Sequence, residues 1–178
     1  MKKISIIITL LLLFCIGCRR HCSEFPANLN YFPYSKKQKL EFINSQRDIQ
    51  TLIVSDKESS KSYFLEMYSK GFCNAYSNVS IHSTQNIFDI RCSIKIKECV
   101  EVNLICDVQN TVQSDYLTMN LLQESNMICN YDEINKYLSD TIYIEKENNK
   151  ILTKIFIVKN KGIVSYTTAD GEEWKLVE

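Results

Sequence analysis

DIRCSIKIKECVEVNLICD, residues 89–107, alternates apolar and polar side chains on both sides of Cys99. A period of two belongs to a half-buried β-strand, and two such runs back to back read as a hairpin. Centred on Cys99, the hairpin pairs Ile96 with Val102, Ile94 with Leu104 and Cys92 with Cys106. One face is then wholly apolar, while Lys97 meets Glu101 and Lys95 meets Asn103 on the other. A centre at Lys97-Glu98 would set Ile94 against Glu101 and mix the two faces. Register follows the arrangement that keeps one face dry, because a slip turns side chains over. Cys92 and Cys106 thereby become cross-strand neighbours, about 4.5–5.5 Å apart at Cα and within disulfide reach. Cys99, at the turn, is left to pair with Cys22, Cys73 or Cys129, or to stay a thiol.

The same period runs outward in both directions. Leu40 and Phe42 alternate with Lys39 and Glu41, Ile142 and Ile144 with Thr141 and Glu145, and Trp174 and Leu176 with Glu173 and Lys175. Asn148-Asn149, Asn160-Lys161-Gly162 and Ala169-Asp170-Gly171 punctuate the last forty residues, which read as a four-stranded antiparallel meander. Fifteen asparagines share the turn work that four glycines leave open. Residues 61–71, KSYFLEMYSKG, suit either a helix or a strand, and strand is preferred because β-type segments flank them. One short helix is expected over residues 131–138, where Asp132 caps the first turn and Ile134, Tyr137 and Leu138 share a face. The segments KLEFINSQRDIQTLIV (39–54) and GIVSYTTADGEEWKLV (162–177) echo each other as hairpins that would lie side by side and close the sheet. About ten short strands with at most one helix predict an all-β fold, a single antiparallel β-sandwich or open β-barrel.

The chain has 178 residues, 21 basic and 21 acidic, with two His, two Pro and eight Cys. The length fits one domain, and the balanced charge leaves no electrostatic footprint for nucleic acid. Residues 1–17, MKKISIIITLLLLFCIG, carry two lysines and then an apolar run from Ile4 to Gly17. That run is shorter than the ~20 helical residues that cross a ~30 Å hydrocarbon core, so it reads as a cleaved signal peptide. Cys15-Ile16-Gly17-Cys18 resembles a bacterial lipobox, with Cys15 where Leu is usual. Lipidation is therefore expected at Cys18, whose thiol takes a diacylglycerol and whose new amino terminus is acylated; two or three chains hold where one does not. The organisation expected is signal 1–17, tether 18–30 and β-rich domain 31–178. Taking 17 from 178 leaves 161 residues with nineteen basic and twenty-one acidic, since Lys2 and Lys3 depart. Cys22, Cys73, Cys92, Cys99, Cys106 and Cys129 remain, an even set suited to an oxidising compartment.

The lipobox-like start, Tyr31-Phe32-Pro33-Tyr34 followed by Lys39-Leu40-Glu41-Phe42-Ile43-Asn44, and the ending Gly162-Ile163-Val164-Ser165-Tyr166 with Gly171-Glu172-Glu173-Trp174-Lys175-Leu176 together carry a likeness. They resemble small lipoproteins of Bacteroidetes-type bacteria. The resemblance implies an envelope lipoprotein and brings no catalytic residues with it. Surface-displayed lipoproteins of that group carry acidic residues after the lipidated cysteine; Arg19-Arg20-His21 here implies an outer-membrane anchor facing the periplasm. Asp140-Thr141-Ile142 resembles the group's O-glycosylation acceptor, marking Thr141, and as plain residues the same three open a strand.

Chemistry has little material. His82 lies in the strand-like run NVSIHST with no Cys or second His at metal spacing, and reads as an ordinary strand residue. No His-Glu-x-x-His, Gly-x-Ser-x-Gly, Walker-type or dinucleotide pattern occurs, so no metal and no cofactor are expected. The carboxylate pairs Asp132-Glu133 and Glu172-Glu173 sit at a helix start and a turn, as solvated charge does. Trp174 reads as a core anchor, and Tyr31, Phe32 and Tyr34 as packing rather than a carbohydrate-stacking patch. Two functional classes follow. One is a non-catalytic module tethered to the membrane by its lipid, binding a protein, glycan or lipid. The other is a hydrolase of envelope polymers or glycans, which requires converging carboxylates, or His82 near a hydroxyl and an acid.

Overall fold

The computed structural model describes residues 22–64, 72–85, 88–98, 101–123, 134 and 136–177. Its strands are β1 (Lys39–Ile43), β2 (Ile49–Phe64), β3 (Phe72–Ser83), β4 (Asp89–Lys97), β5 (Glu101–Gln109), β6 (Ser114–Gln123), β7 (Thr141–Glu145), β8 (Leu152–Val158), β9 (Gly162–Thr168) and β10 (Glu173–Leu176). They form one antiparallel sheet in the order β6-β5-β4-β3-β2-β1-β10-β9-β8-β7. The sheet curls until it nearly closes into a barrel-like sandwich, in agreement with the all-β expectation.

The 89–107 hairpin adopts the register that keeps one face dry. Cys92 faces Cys106, Ile94 faces Leu104, Ile96 faces Val102 and Lys97 faces Glu101. The apolar members are fully buried while the alternate residues are not, so the period of two in the sequence is the inside and outside of the sheet. Burying apolar surface at roughly 25 cal/mol per Å² fixes this phase along every strand. Apolar side chains point inward and charged ones outward, the reverse of a barrel that spans a bilayer.

Curvature comes from register breaks. β2 is bulged between Val54 and Asp56, the β5–β6 ladder shifts between Val102 and Asn103, and the β8–β9 ladder shifts twice, at Thr153 of β8 and at Val164 of β9. Each bulge bends and twists its strand, which lets ten strands wrap around one core instead of splaying. The two outermost strands, β6 and β7, meet at a seam bridged by side chains. Lys146 Nζ donates to Asp115 Oδ1 at 2.8 Å and to the Tyr116 carbonyl at 3.0 Å, and Gln113 Nε2 reaches the Lys150 carbonyl at 3.2 Å. The Lys146 hydrogen bond holds the Asp115 carboxyl below its ordinary range.

The echoing hairpins are neighbours, but they do not close the sheet. β1 pairs with β10, Phe42 opposite Leu176, in the middle of the strand order, and the closing seam lies elsewhere. β2 and β3 are also longer than the expected short strands, at 16 and 12 residues. Of the ambiguous stretch, 61–64 continue β2 and 65–71 lie outside the described residues. Half of the residues of the helix expected over 131–138 lie outside them too, and 136–138 form a turn; Ile134 and Leu138 are buried, whereas Tyr137 is 42% exposed and so leaves the apolar face assigned to it.

The tether expectation changes at its far end. From Cys22 onward the chain belongs to the packed body: Cys22 forms a disulfide with Cys73, Glu24 pairs with Lys61 at 2.5 Å, and Leu29 is 1% exposed. Tyr31, Phe32 and Tyr34 are buried, so no stacking patch is presented to a ligand. Each tyrosine finds a partner for its hydroxyl: Tyr31 Oη donates to the Ser139 carbonyl and Tyr34 Oη accepts the Ile163 N–H. Burial, with Asp140 nearby, pushes Tyr31 up to about 12, and burial pushes Tyr34 and Tyr166 higher still.

Candidate functional site

The outward positions of β2 to β6 assemble a polar groove. Because the strands are in register, Asp56, Ser80, Arg91, Asp107 and Tyr116 fall on one rung across five strands. The next rung carries His82, Asp89, Gln109 and Ser114. Three adjoining hollows run along these rungs, of about 300, 270 and 270 Å³. The first and second share Ser80 and Arg91, and the second and third share Asp89 and Gln109.

The groove holds charge that the fold does not use. Among the described residues no hydrogen bond or ion pair engages the Arg91 guanidinium or the Asp89 carboxylate. A second hollow, of about 350 Å³ on the outer face of β7 to β10, differs in this respect. There Lys154 is paired with Glu145 at 2.9 Å, Glu173 with Lys175 at 3.2 Å, and Tyr143 Oη donates to Glu145. Its charged side chains are thus already paired, whereas Arg91 and Asp89 are not, so the β2 to β6 groove is the better candidate for a polar ligand.

His82 does stand near hydroxyls and an acid: it is the direct cross-strand neighbour of Asp89 and lines the same hollow as Ser55 and Ser80. The triad chemistry is not assembled. Ser55 Oγ donates to the Ser80 carbonyl at 3.0 Å, directing its proton away from the imidazole, and no hydrogen bond joins His82 to Asp89 among the described residues. His82 is conspicuous in the sequence, whereas Arg91, Asp89 and Gln109 are not. Asp89 and Arg91 belong to the outward phase of the 89–107 alternation and Gln109 continues it by two residues, but which of these polar positions share a hollow depends on the pairing of β3 with β4 and of β4 with β5.

The remaining expected residues are dispersed. Cys18 lies outside the described residues. Thr141 opens β7 with its side chain exposed, its hydroxyl 3.4 Å from that of Ser139. Cys92 and Cys106 form a disulfide inside the core with Cα atoms 4.2 Å apart. Glu172 is not free surface charge: it accepts a hydrogen bond from Asn44 Nδ2 at 2.6 Å. Asp132 and Glu133 lie outside the described residues. Trp174 packs against the core and stacks on Tyr166, ring centres 6.3 Å apart. Among the described residues no cluster of His, Cys, Asp and Glu has the arrangement of a metal site, and no helix is long and apolar enough to cross a membrane. No protein-family model, curated protein or solved structure matches the chain.

Proposed function

We propose that the protein is a lipid-anchored envelope lipoprotein facing the periplasm, and that its domain is a non-catalytic binding module whose β2 to β6 groove takes a polar, carboxylate-bearing glycan. The anchor reading is supported by the run 1–18, and the two disulfides agree with an oxidising compartment without specifying it. The observation that carries the binding reading is Arg91, an exposed guanidinium without an internal partner, between Ser80 and Asp107 on its rung. A guanidinium matches a carboxylate in two parallel hydrogen bonds, and the surrounding Asp, Gln, His and Ser side chains suit sugar hydroxyls.

The hydrolase reading needs a hydroxyl proton delivered to His82, and the Ser55 to Ser80 hydrogen bond works against it. The test is binding of purified envelope glycans to the domain and to Arg91→Ala. A charge-assisted hydrogen bond contributes about 1.5–3 kcal/mol, so Arg91→Ala should weaken binding roughly 10- to 100-fold with the fold unchanged. Equal binding by both proteins, or no binding by either, overturns the groove reading, and glycan cleavage abolished by His82→Ala would establish the hydrolase instead.

A further inference from the structure

The disulfide between Cys22 and Cys73 determines how far the domain can stand from a lipid on Cys18. Four Cα steps separate residues 18 and 22, which at ~3.8 Å each reach about 15 Å at most. A free tether through residue 30, twelve such steps, would reach roughly 45 Å at ~3.8 Å each and leave every orientation open.

The clamp is reinforced around Cys73. Cys73 sits opposite Tyr63 near the end of β2, the Cys73 N–H donates to Glu98 Oε2 at 3.1 Å, and the Glu98 N–H donates to the Cys73 carbonyl at 2.9 Å. Cys22 is thereby fixed to the end of the sheet where β3 begins and β4 ends.

We infer that this end of the sheet rests against the headgroup plane of the bilayer that holds the Cys18 lipid, with the polar groove held at the far end. The inference rests on the lipid-anchor reading. From Cys73 to Ser83 along β3 is ten residues, about 33 Å at ~3.3 Å per residue, so His82 and Asp89 stand some 30 Å beyond the clamp. The short leash selects the occupant: a surface within about 15 Å of Cys22 is the membrane itself.

The test uses the full lipidated protein reconstituted in phosphatidylcholine and phosphatidylglycerol vesicles carrying a headgroup energy-transfer acceptor. A fluorescent non-natural residue replaces either Lys95, near the clamped end of β4, or Val112, which is 87% exposed beyond the far end of β5. Intact mass first establishes the lipid on Cys18; its absence overturns the anchor reading and this inference with it. With the lipid present, the distance of closest approach should be about 20 Å shorter for the Lys95 label. A flexible insert of about twenty Gly and Ser residues between His21 and Cys22 keeps the disulfide and should abolish that difference. Equal distances in the lipidated parent protein, or a difference that survives the insert, overturn the inference while leaving the anchor intact.

Discussion

The hydroxyl of Tyr34 lies over the bare α-carbon of Gly162 and accepts the N–H of Ile163. A Cβ built on Gly162 would come within 2.0 Å of that oxygen, and the residue has φ of +90°. Tyr34 thus ties the segment leading into β1 to the start of β9, a contact that exists only because position 162 has no side chain.

Gly162→Ala should cost about 2–4 kcal/mol, combining the left-handed backbone penalty with displacement of Tyr34. Gly171→Ala is the control, since Gly171 has φ of +88° but open space around it, and it should cost about 1 kcal/mol. Urea unfolding midpoints of the two variants separate the clash from the backbone strain.

Alkaline pH should destabilise the domain through its buried tyrosines. Tyr31, Tyr34 and Tyr166 ionise at higher pH folded than the ordinary value of 10. The unfolded chain therefore releases these protons first, and stability, whole below about pH 10, falls as pH rises toward the folded values. Tyrosinate absorbance should rise in two phases, the later one coinciding with loss of β-sheet circular dichroism. A single phase in all ten tyrosines, with the fold intact, would contradict this.

Much of the fold was legible because the core is one-sided. In β4, β5 and β7 every second residue is apolar and buried, so the sequence period and the burial period coincide. Asn160 and Gly162, both at positive φ, marked their turn correctly. Asn149 works differently: its Oδ1 accepts the N–H groups of Ile151 and Leu152, an Asx device that composition alone does not distinguish from a left-handed turn. The packing of 22–30 was illegible, because that stretch has no regular apolar period and its order comes from Cys22 and Leu29 meeting distant partners. The groove was illegible for the same reason: His82 and Arg91 become neighbours only through strand pairing.

The two disulfides should contribute unequally. Their separations of 51 and 14 residues give about 4 and 3 kcal/mol from loop entropy. Peptide mapping without reductant should recover Cys22 linked to Cys73 and Cys92 linked to Cys106. The Cys22→Ser/Cys73→Ser double variant should lose more stability than Cys92→Ala/Cys106→Ala, with thermal unfolding as the readout.

Asn44 is the hub between two turns. Its Oδ1 accepts the N–H groups of Gln46 and Asp48, and its Nδ2 reaches the carboxylates of Asp48 and Glu172. Asn44→Ala should cost about 2–3 kcal/mol. Asn44→Asp keeps the acceptor but loses the Nδ2 donor and sets a third carboxylate beside those of Asp48 and Glu172, so it should lower the urea unfolding midpoint at least as far as Asn44→Ala.

Because β10 pairs with both β1 and β9, this four-residue strand is the one that welds the two parts of the sheet. Without it, β1 to β6 and β7 to β9 share no strand ladder, and each group has an unpaired edge where the joint belongs. Such edges invite pairing with other chains. A chain stopped before Glu173 would therefore keep both of those edges open to such pairing.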